Sequence, residues 1–208
     1  MKISYAITVC NELDEIRRLI DNLSKIKRDE DEIVVLFDKG GGTAEVWSYL
    51  QFCLSEYTNI KIEAQTFKHH FADWKNYLTT LCKGDYIFQI DADEIPNEAL
   101  VKNLHIILDK NEKVDVLAVP RINTVEGLTQ EHIQKWGWRV DNKGWVNFPD
   151  YQWRIYKNNN EIEWVNKVHE VLDGYNHYAA LPINEHFCLY HPKQIDRQEK
   201  QNKYYSTL

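Results

Sequence analysis

An α/β fold with a mostly parallel sheet flanked by helices is the architecture this sequence predicts, and three observations carry it. Apolar, strand-like runs alternate with segments of helical periodicity through the first half of the 208 residues, the rhythm of successive βαβ units. Two of those runs, Ile33-Val34-Val35-Leu36-Phe37 and Tyr86-Ile87-Phe88-Gln89-Ile90, are long enough and apolar enough to be buried strands. Both end abruptly in acids, and ligands of such sheets bind at the carboxyl ends of the strands.

The first strand, Ile3-Ser4-Tyr5-Ala6-Ile7-Thr8-Val9, stops at Cys10-Asn11-Glu12. Ile16, Leu19, Ile20 and Leu23 then share one face of a helix. The second strand closes on Asp38, ahead of Lys39-Gly40-Gly41-Gly42-Thr43. A helix through Val46, Tyr49, Leu50 and Cys53 follows, then a short strand at Ile60-Lys61-Ile62, a helix over 71–81 and the strand over 86–90. Asn97 is placed to cap a helix starting Glu98-Ala99-Leu100-Val101, with Glu94 favouring its dipole. After Leu108 the rhythm changes. A strand over 114–119 is expected to end at Pro120, and residues 121–150 read as a long lid or binding loop. Short strands at Gln152-Trp153-Arg154-Ile155-Tyr156 and Ile162-Glu163-Trp164-Val165 flank a turn at Asn158-Asn159-Asn160, and a charged helix is predicted over 194–205.

The length suits one domain. A net charge of -7 argues against a surface built to neutralise nucleic-acid phosphates. Cys10, Cys53, Cys82 and Cys188 form no C-x-x-C pair and read as reduced thiols. The chain opens directly into a strand and holds no apolar run long enough to span a bilayer. A cytoplasmic protein is therefore expected, with any membrane contact peripheral.

Asp91-Ala92-Asp93 is the sharpest chemical signal. Two carboxylates one residue apart point the same way on an extended strand, repel each other, and call for a cation. Oxygen ligands suit Mg²⁺ or Mn²⁺ bridging to nucleotide phosphates. Helix capping accounts for Glu94 and Asn97 but not for Asp91 on the strand itself. Asp38 stands at a second strand end, suited to a base or ribose, or else to starting the glycine turn. That glycine run lacks the spacing of a phosphate loop and reads as a turn. Lys75 is a point charge for a diphosphate or a solvated helix residue. His69 and His70, adjacent and oppositely directed, read as loop residues. In Val168-His169-Glu170 the carboxylate is a general-base candidate or half of an ordinary exposed pair. His191 is a nitrogen ligand candidate or a structural histidine.

Taken together, these pieces resemble family 2 glycosyltransferases of the GT-A fold, and more narrowly the bacterial and viral branch that includes lipopolysaccharide-core glucosyltransferases. The resemblance rests on Ile7-Thr8-Val9-Cys10-Asn11-Glu12, Asp31 through Asp38, Phe71-Ala72-Asp73-Trp74-Lys75-Asn76, Gly84-Asp85-Tyr86-Ile87 with Asp91-Ala92-Asp93-Glu94, and Arg154-Ile155-Tyr156 through Val168-His169-Glu170. His191 with Lys200, Lys203 and Tyr204 completes it. It implies a Rossmann-like nucleotide-binding sheet and a smaller mixed or antiparallel acceptor-side portion, within one domain over 1–208. Residues 1–110 would be the nucleotide-sugar-binding half and 111–208 the acceptor-binding half.

The implied activity is inverting transfer of a hexose from a nucleotide-diphosphate sugar, UDP-glucose or similar, to a hydroxyl of a glycan or glycoconjugate. The implied cofactor is Mn²⁺ or Mg²⁺. Thr8, Asn11, Glu12, Asp38, Lys75 and Asp91 would hold the donor nucleotide; Asp93, Asp91 and His191 would hold the metal. Glu170 would be the base, with Asp150 in reserve. Trp136, Trp138 and Trp145 offer flat faces to an acceptor sugar or pack into the core, and His169 stands beside the base on the acceptor side. Two rivals remain: a sugar-1-phosphate nucleotidyltransferase, and a non-catalytic nucleotide-sugar-binding module.

Overall fold

Residues buried on both faces of a sheet must find a layer on each side, and the central strands here do. The computed structural model of the chain describes residues 1–199. The strands β1 (Ile3–Val9), β2 (Glu32–Asp38), β3 (Ile60–Gln65) and β4 (Tyr86–Asp91) are parallel and lie in the order β3-β2-β1-β4. Ile3, Tyr5 and Ile7 face one side with Ile33, Val35 and Phe88, and pack on α1 (Leu13–Ile26), α2 (Ala44–Glu56) and α4 (Glu98–Lys110). Ala6, Val34, Leu36 and Ile87 face the other side and meet α3 (Phe71–Leu81). The helical faces read from the sequence are the buried ones: Ile16, Leu19, Ile20 and Leu23 in α1, and Val46, Tyr49, Leu50 and Cys53 in α2. Asn97 caps α4 by accepting from the Ala99 amide at 2.8 Å. All four cysteines are free thiols.

The sheet changes character at β4. That strand pairs antiparallel with β7 (Val146–Lys157), and β7 pairs antiparallel with β6 (Val116–Glu126). On the far side of β6 run two parallel partners, β10 (Tyr178–Ala180) and β11 (Leu189–Gln194), and β5 (Ile95–Pro96) pairs with β11 at the edge. One sheet therefore crosses both halves of the chain. A separate hairpin, β8 (Glu163–Val165) with β9 (Val171–Asp173), docks on α3, where the Asn76 side chain donates to the Trp164 carbonyl and accepts from its amide, both at 2.8 Å.

Two expectations are corrected. Pro120 does not end its strand; β6 runs through it to Glu126. The Ala118 carbonyl accepts from the Leu181 amide, so Ala118 points toward β10, and Pro120, two residues on, points the same way. There it falls between the three β6 residues that β10 covers and the stretch from Arg121 onward that β11 covers, so its missing N–H leaves no ladder bond unmade. The expected loop over 121–150 shrinks to residues 127–145 around a short α5 (Gln130–Trp136), capped by Thr129 and ended by Gly137 at φ 64°. Register shifts between Leu117 and Ala118 and between Arg121 and Asn123 break the alternation that would have revealed these strands. The expected helix over 194–205 is helical at 195–199; Lys200, Lys203 and Tyr204 lie outside the described residues.

The Tyr156 hydroxyl ties β7 to α3 and β8, meeting Thr79 Oγ1 at 2.8 Å and accepting from Trp164 Nε1 at 3.2 Å. Tyr156→Phe leaves the buried Trp164 Nε1 and the half-buried Thr79 hydroxyl without it and should cost about 1–3 kcal/mol, read from urea unfolding midpoints. Asp115 supports β10 from the neighbouring turn. Its carboxyl is pulled down to about 2, first by the Lys157 hydrogen bond, against burial, and then by the His177 and Asn176 amides. A carboxylate whose pKa falls on folding stabilises above its unfolded value and loses that contribution as pH drops through the folded one. Melting temperatures should therefore fall between roughly pH 4 and pH 2, and Asp115→Asn should flatten that limb.

Candidate active site

Between β1 and β4 the order of the parallel strands reverses direction, the position at which open α/β sheets leave a crevice at their carboxyl ends. A cleft of about 670 Å³ opens there. Thr8 and Asp91, partners in the β1–β4 register, form its floor, with Thr8 Oγ1 3.4 Å from Asp91 Oδ1. Asn11, Glu12, Asp38, Lys75, Asp93, His169 and Glu170 also line it, so one surface gathers every donor-side residue expected from the sequence, the metal candidates Asp91 and Asp93, and the first base candidate, Glu170.

Asp91 is not a bare carboxylate. Its Oδ2 lies 2.6 Å from an Arg154 terminal nitrogen and its Oδ1 3.6 Å from Lys75 Nζ. Burial alone would raise its pKa, but Arg154 and Lys75 outweigh that and hold it well below the usual carboxylate range. The same Arg154 nitrogen donates to Glu94 Oε1 at 2.7 Å, Arg121 donates to that oxygen at 2.8 Å, and Glu94 Oε2 accepts the Asp91 amide at 3.1 Å. Glu94 is fully buried. Its expected part in the dipole of α4 is thus corrected: it holds two arginines under the sheet, and Asn97 does the capping. The geometry expected of the acid pair changes too. A turn closed by the Glu94 amide on the Asp91 carbonyl, not strand alternation, brings Asp93 to the cleft. Sequence reading missed Arg154, although an arginine inside Trp153-Arg154-Ile155-Tyr156 was the available signal, since a buried cation needs buried anions.

Asp93 faces other partners. His191 Nε2 and an Arg197 terminal nitrogen each stand 3.5 Å from its Oδ2. Against burial, which opposes ionisation, His191 and Arg197 bring the Asp93 carboxyl down to about 2. Behind the imidazole, Asn123 Nδ2 donates to Asp150 at 2.8 Å, which turns Asn123 Oδ1 toward His191 Nδ1, also at 2.8 Å. His191 must donate from Nδ1, so Nε2 is the nitrogen left to carry a proton toward Asp93 or a lone pair toward a cation. A carboxylate oxygen and an imidazole nitrogen are donors that suit a divalent ion, though Arg197 stands at the same oxygen. Among the described residues no set of three His, Cys, Asp or Glu side chains converges on a metal position, and Asp91 is already answered by arginine.

Asp150 anchors this relay. It accepts from Arg121 at 2.7 and 2.9 Å and from Gln152 at 2.8 Å, and it does not line the cleft. Glu170 does, with Oε1 2.6 Å from Lys75 Nζ, whose ammonium also sits 4.6 Å from the Trp164 ring centre. His169 is exposed at the rim with φ 54°. Asp38 Oδ1 accepts from the Gly40 and Phe67 amides at 2.8 and 3.0 Å, shaping the turn while the residue borders the cleft. The turn-starting reading of Asp38 therefore holds, and its place on the cleft leaves it within reach of a ligand. A side chain at Gly42 would meet the Phe37 ring at 2.3 Å, so the tight turn needs glycine there. His70 caps α3, accepting from the Asp73 amide. None of the three tryptophans lines the cleft. Trp136 and Trp138 pack on each other at 4.6 Å, and Trp145 packs on Phe148 beside a separate pocket of about 520 Å³.

A family model described as Glycosyl transferase family 2 matches residues 4–183. The chain belongs to glycosyl transferase family 2. Among solved structures, this family 2 chain is similar to S. aureus TarS 1–349, at 17% identity and a TM-score of 0.64 over 92% of the chain. The same protein in complex with UDP gives 17% identity and a TM-score of 0.66 over 92% of the chain, and with UDP-GlcNAc 18% and 0.65 over 93%. No curated protein matches by sequence. The family 2 chain spans about 60% of the TarS 1–349 structure, and the likeness bears out the α/β, GT-A type of fold. No helix among the described residues is long and apolar enough to cross a membrane.

Arg154→Met removes the cation shared by two buried carboxylates. Breaking a buried ion pair from one side should destabilise the fold by about 3–5 kcal/mol, measurable by denaturant titration.

Proposed function

We propose that this domain transfers a hexose from a nucleotide-diphosphate sugar, a UDP-hexose, to a hydroxyl of a glycan or glycoconjugate with inversion at the anomeric carbon. The observation carrying the proposal is the cleft at the carboxyl ends of β1, β2 and β4, where Asp38, Lys75, Asp91, Asp93 and Glu170 converge. Membership of the family supports it, as do TarS structures holding UDP and UDP-GlcNAc on the same fold.

In this reading Thr8, Asn11, Glu12 and Asp38 receive the base and ribose, and Asp91, fixed by Arg154, accepts a ribose hydroxyl. Asp93 and His191 would hold Mn²⁺ or Mg²⁺, and the chemistry such an ion would supply is stabilisation of the charge on the departing diphosphate. Glu170 takes the proton of the incoming hydroxyl. The acceptor oxygen bonds to the anomeric carbon, the bond from that carbon to the diphosphate breaks, and the nucleoside diphosphate leaves with the electron pair. His169 meets the acceptor at the rim. The tryptophans, away from the cleft, serve acceptor parts beyond the reacting hydroxyl.

Two variants test this. Glu170→Gln should lower transfer by at least about a hundredfold while UDP still binds, since a positioned base contributes roughly 10²–10⁴. Asp93→Ala should abolish the effect of Mn²⁺ on UDP-sugar binding and on donor hydrolysis. Intact metal-dependent turnover in Asp93→Ala would remove the metal from the proposal.

A further inference from the structure

The carboxylate assigned as base carries a cation on one of its two oxygens. Glu170 Oε1 lies 2.6 Å from Lys75 Nζ, and an ammonium at that distance occupies lone pairs of that oxygen and lowers the basicity of the whole carboxylate. Lys75 is 4% exposed; its ammonium rests 4.6 Å from the Trp164 ring centre, and Asn76, its neighbour on α3, fixes Trp164 by donating to its carbonyl and accepting from its amide. Only the charged head has a choice. Asp91 Oδ1 is its second anion, at 3.6 Å, and both carboxylates border the same cleft. Asp91 is already paired with Arg154 at 2.6 Å and depends less on Lys75 than Glu170 does.

Resting on the donor assignment above, we infer that Lys75 is a donor-sensing switch: it pairs with Glu170 and moves to the diphosphate when the nucleotide sugar binds. A diphosphate brings more negative charge than one carboxylate and enters the space between Asp91 and Glu170. The ammonium exchanges one anion for a stronger one without leaving its aromatic seat. Glu170 is uncovered only when a diphosphate occupies the cleft. Lys75 is thus a positioning residue for the base as well as a contact for the donor. Covering the base costs donor affinity, because the ion pair must open on binding.

Calorimetric titration of UDP and, separately, of uridine reads that cost. Glu170→Gln should bind UDP about tenfold more tightly than the unaltered chain, the coupling expected of side chains in direct contact, with uridine affinity unchanged. In Lys75→Met the gain from adding Glu170→Gln should vanish. A gain for uridine as well, or one that persists without Lys75, would overturn the switch. On the unaltered chain, carbodiimide labelling of Glu170 should rise when UDP is added and not when uridine is added. Unchanged labelling would also contradict it. If the unaltered chain binds UDP and Glu170→Gln binds it no more tightly, this inference falls alone. If the unaltered chain binds no UDP, the donor assignment falls with it.

Discussion

A guanidinium buried under the sheet, Arg154, is the constraint on which the rest of this structure depends. Its terminal nitrogen reaches Asp91 at 2.6 Å and Glu94 at 2.7 Å, across the seam where the parallel strands give way to the antiparallel ones. β4 supplies Asp91, the turn after it supplies Glu94, and β7 supplies the arginine, so the ion cluster links the two halves of the chain at the edge of the cleft. The charges that make it expensive to bury also make it specific. Two carboxylates and two arginines meet here because the register of β4, β6 and β7 brings them together, and a slip of one residue would part them.

From that anchor the site divides into acids with different partners. Asp91 has its protein cation and is left to accept hydrogen bonds. Asp93, carried past the strand by the turn, faces an imidazole whose other nitrogen is fixed through Asn123 and Asp150. The relay explains why Asp150, a carboxylate of the same sheet, works behind the site: three side chains already donate to it. Arg197 lies across the mouth, 2.7 Å from Glu15, 3.2 Å from Glu12 and 3.5 Å from Asp93, and brings a positive charge from the C-terminal side over the N-terminal half of the cleft.

Much of the first half was legible because burial on two faces leaves a plain record. Uninterrupted apolar runs gave the central strands, and Ile16, Leu19, Ile20 and Leu23 marked a helix. Acids at strand ends marked the cleft. The second half was less legible, since bulges in β6 and β7 break the alternation and Pro120 sits in a gap visible only once β10 and β11 are placed. Within the site, residue type revealed Asp91, Asp93 and Glu170, but not their partners. Arg154, Asn123 and Trp164 come from distant parts of the chain, and no local spacing links Lys75 to Glu170, which are 95 positions apart. The tryptophans were legible as aromatic faces but not by partner: Trp136 packs on Trp138, and Trp145 packs on Phe148.

The most direct test of the central claim, a donor cleft for a nucleotide-diphosphate sugar, is thermal melting of the unaltered chain against a panel of nucleotide sugars with Mn²⁺ and with EDTA. A ligand at a hundredfold excess over its Kd stabilises by about 2.7 kcal/mol. For a chain of this size that corresponds to a rise of roughly 5–10 °C. A UDP-sugar should produce it with Mn²⁺ and lose most of it in EDTA. No shift with any nucleotide sugar, at concentrations reaching millimolar, would contradict the assignment of the cleft.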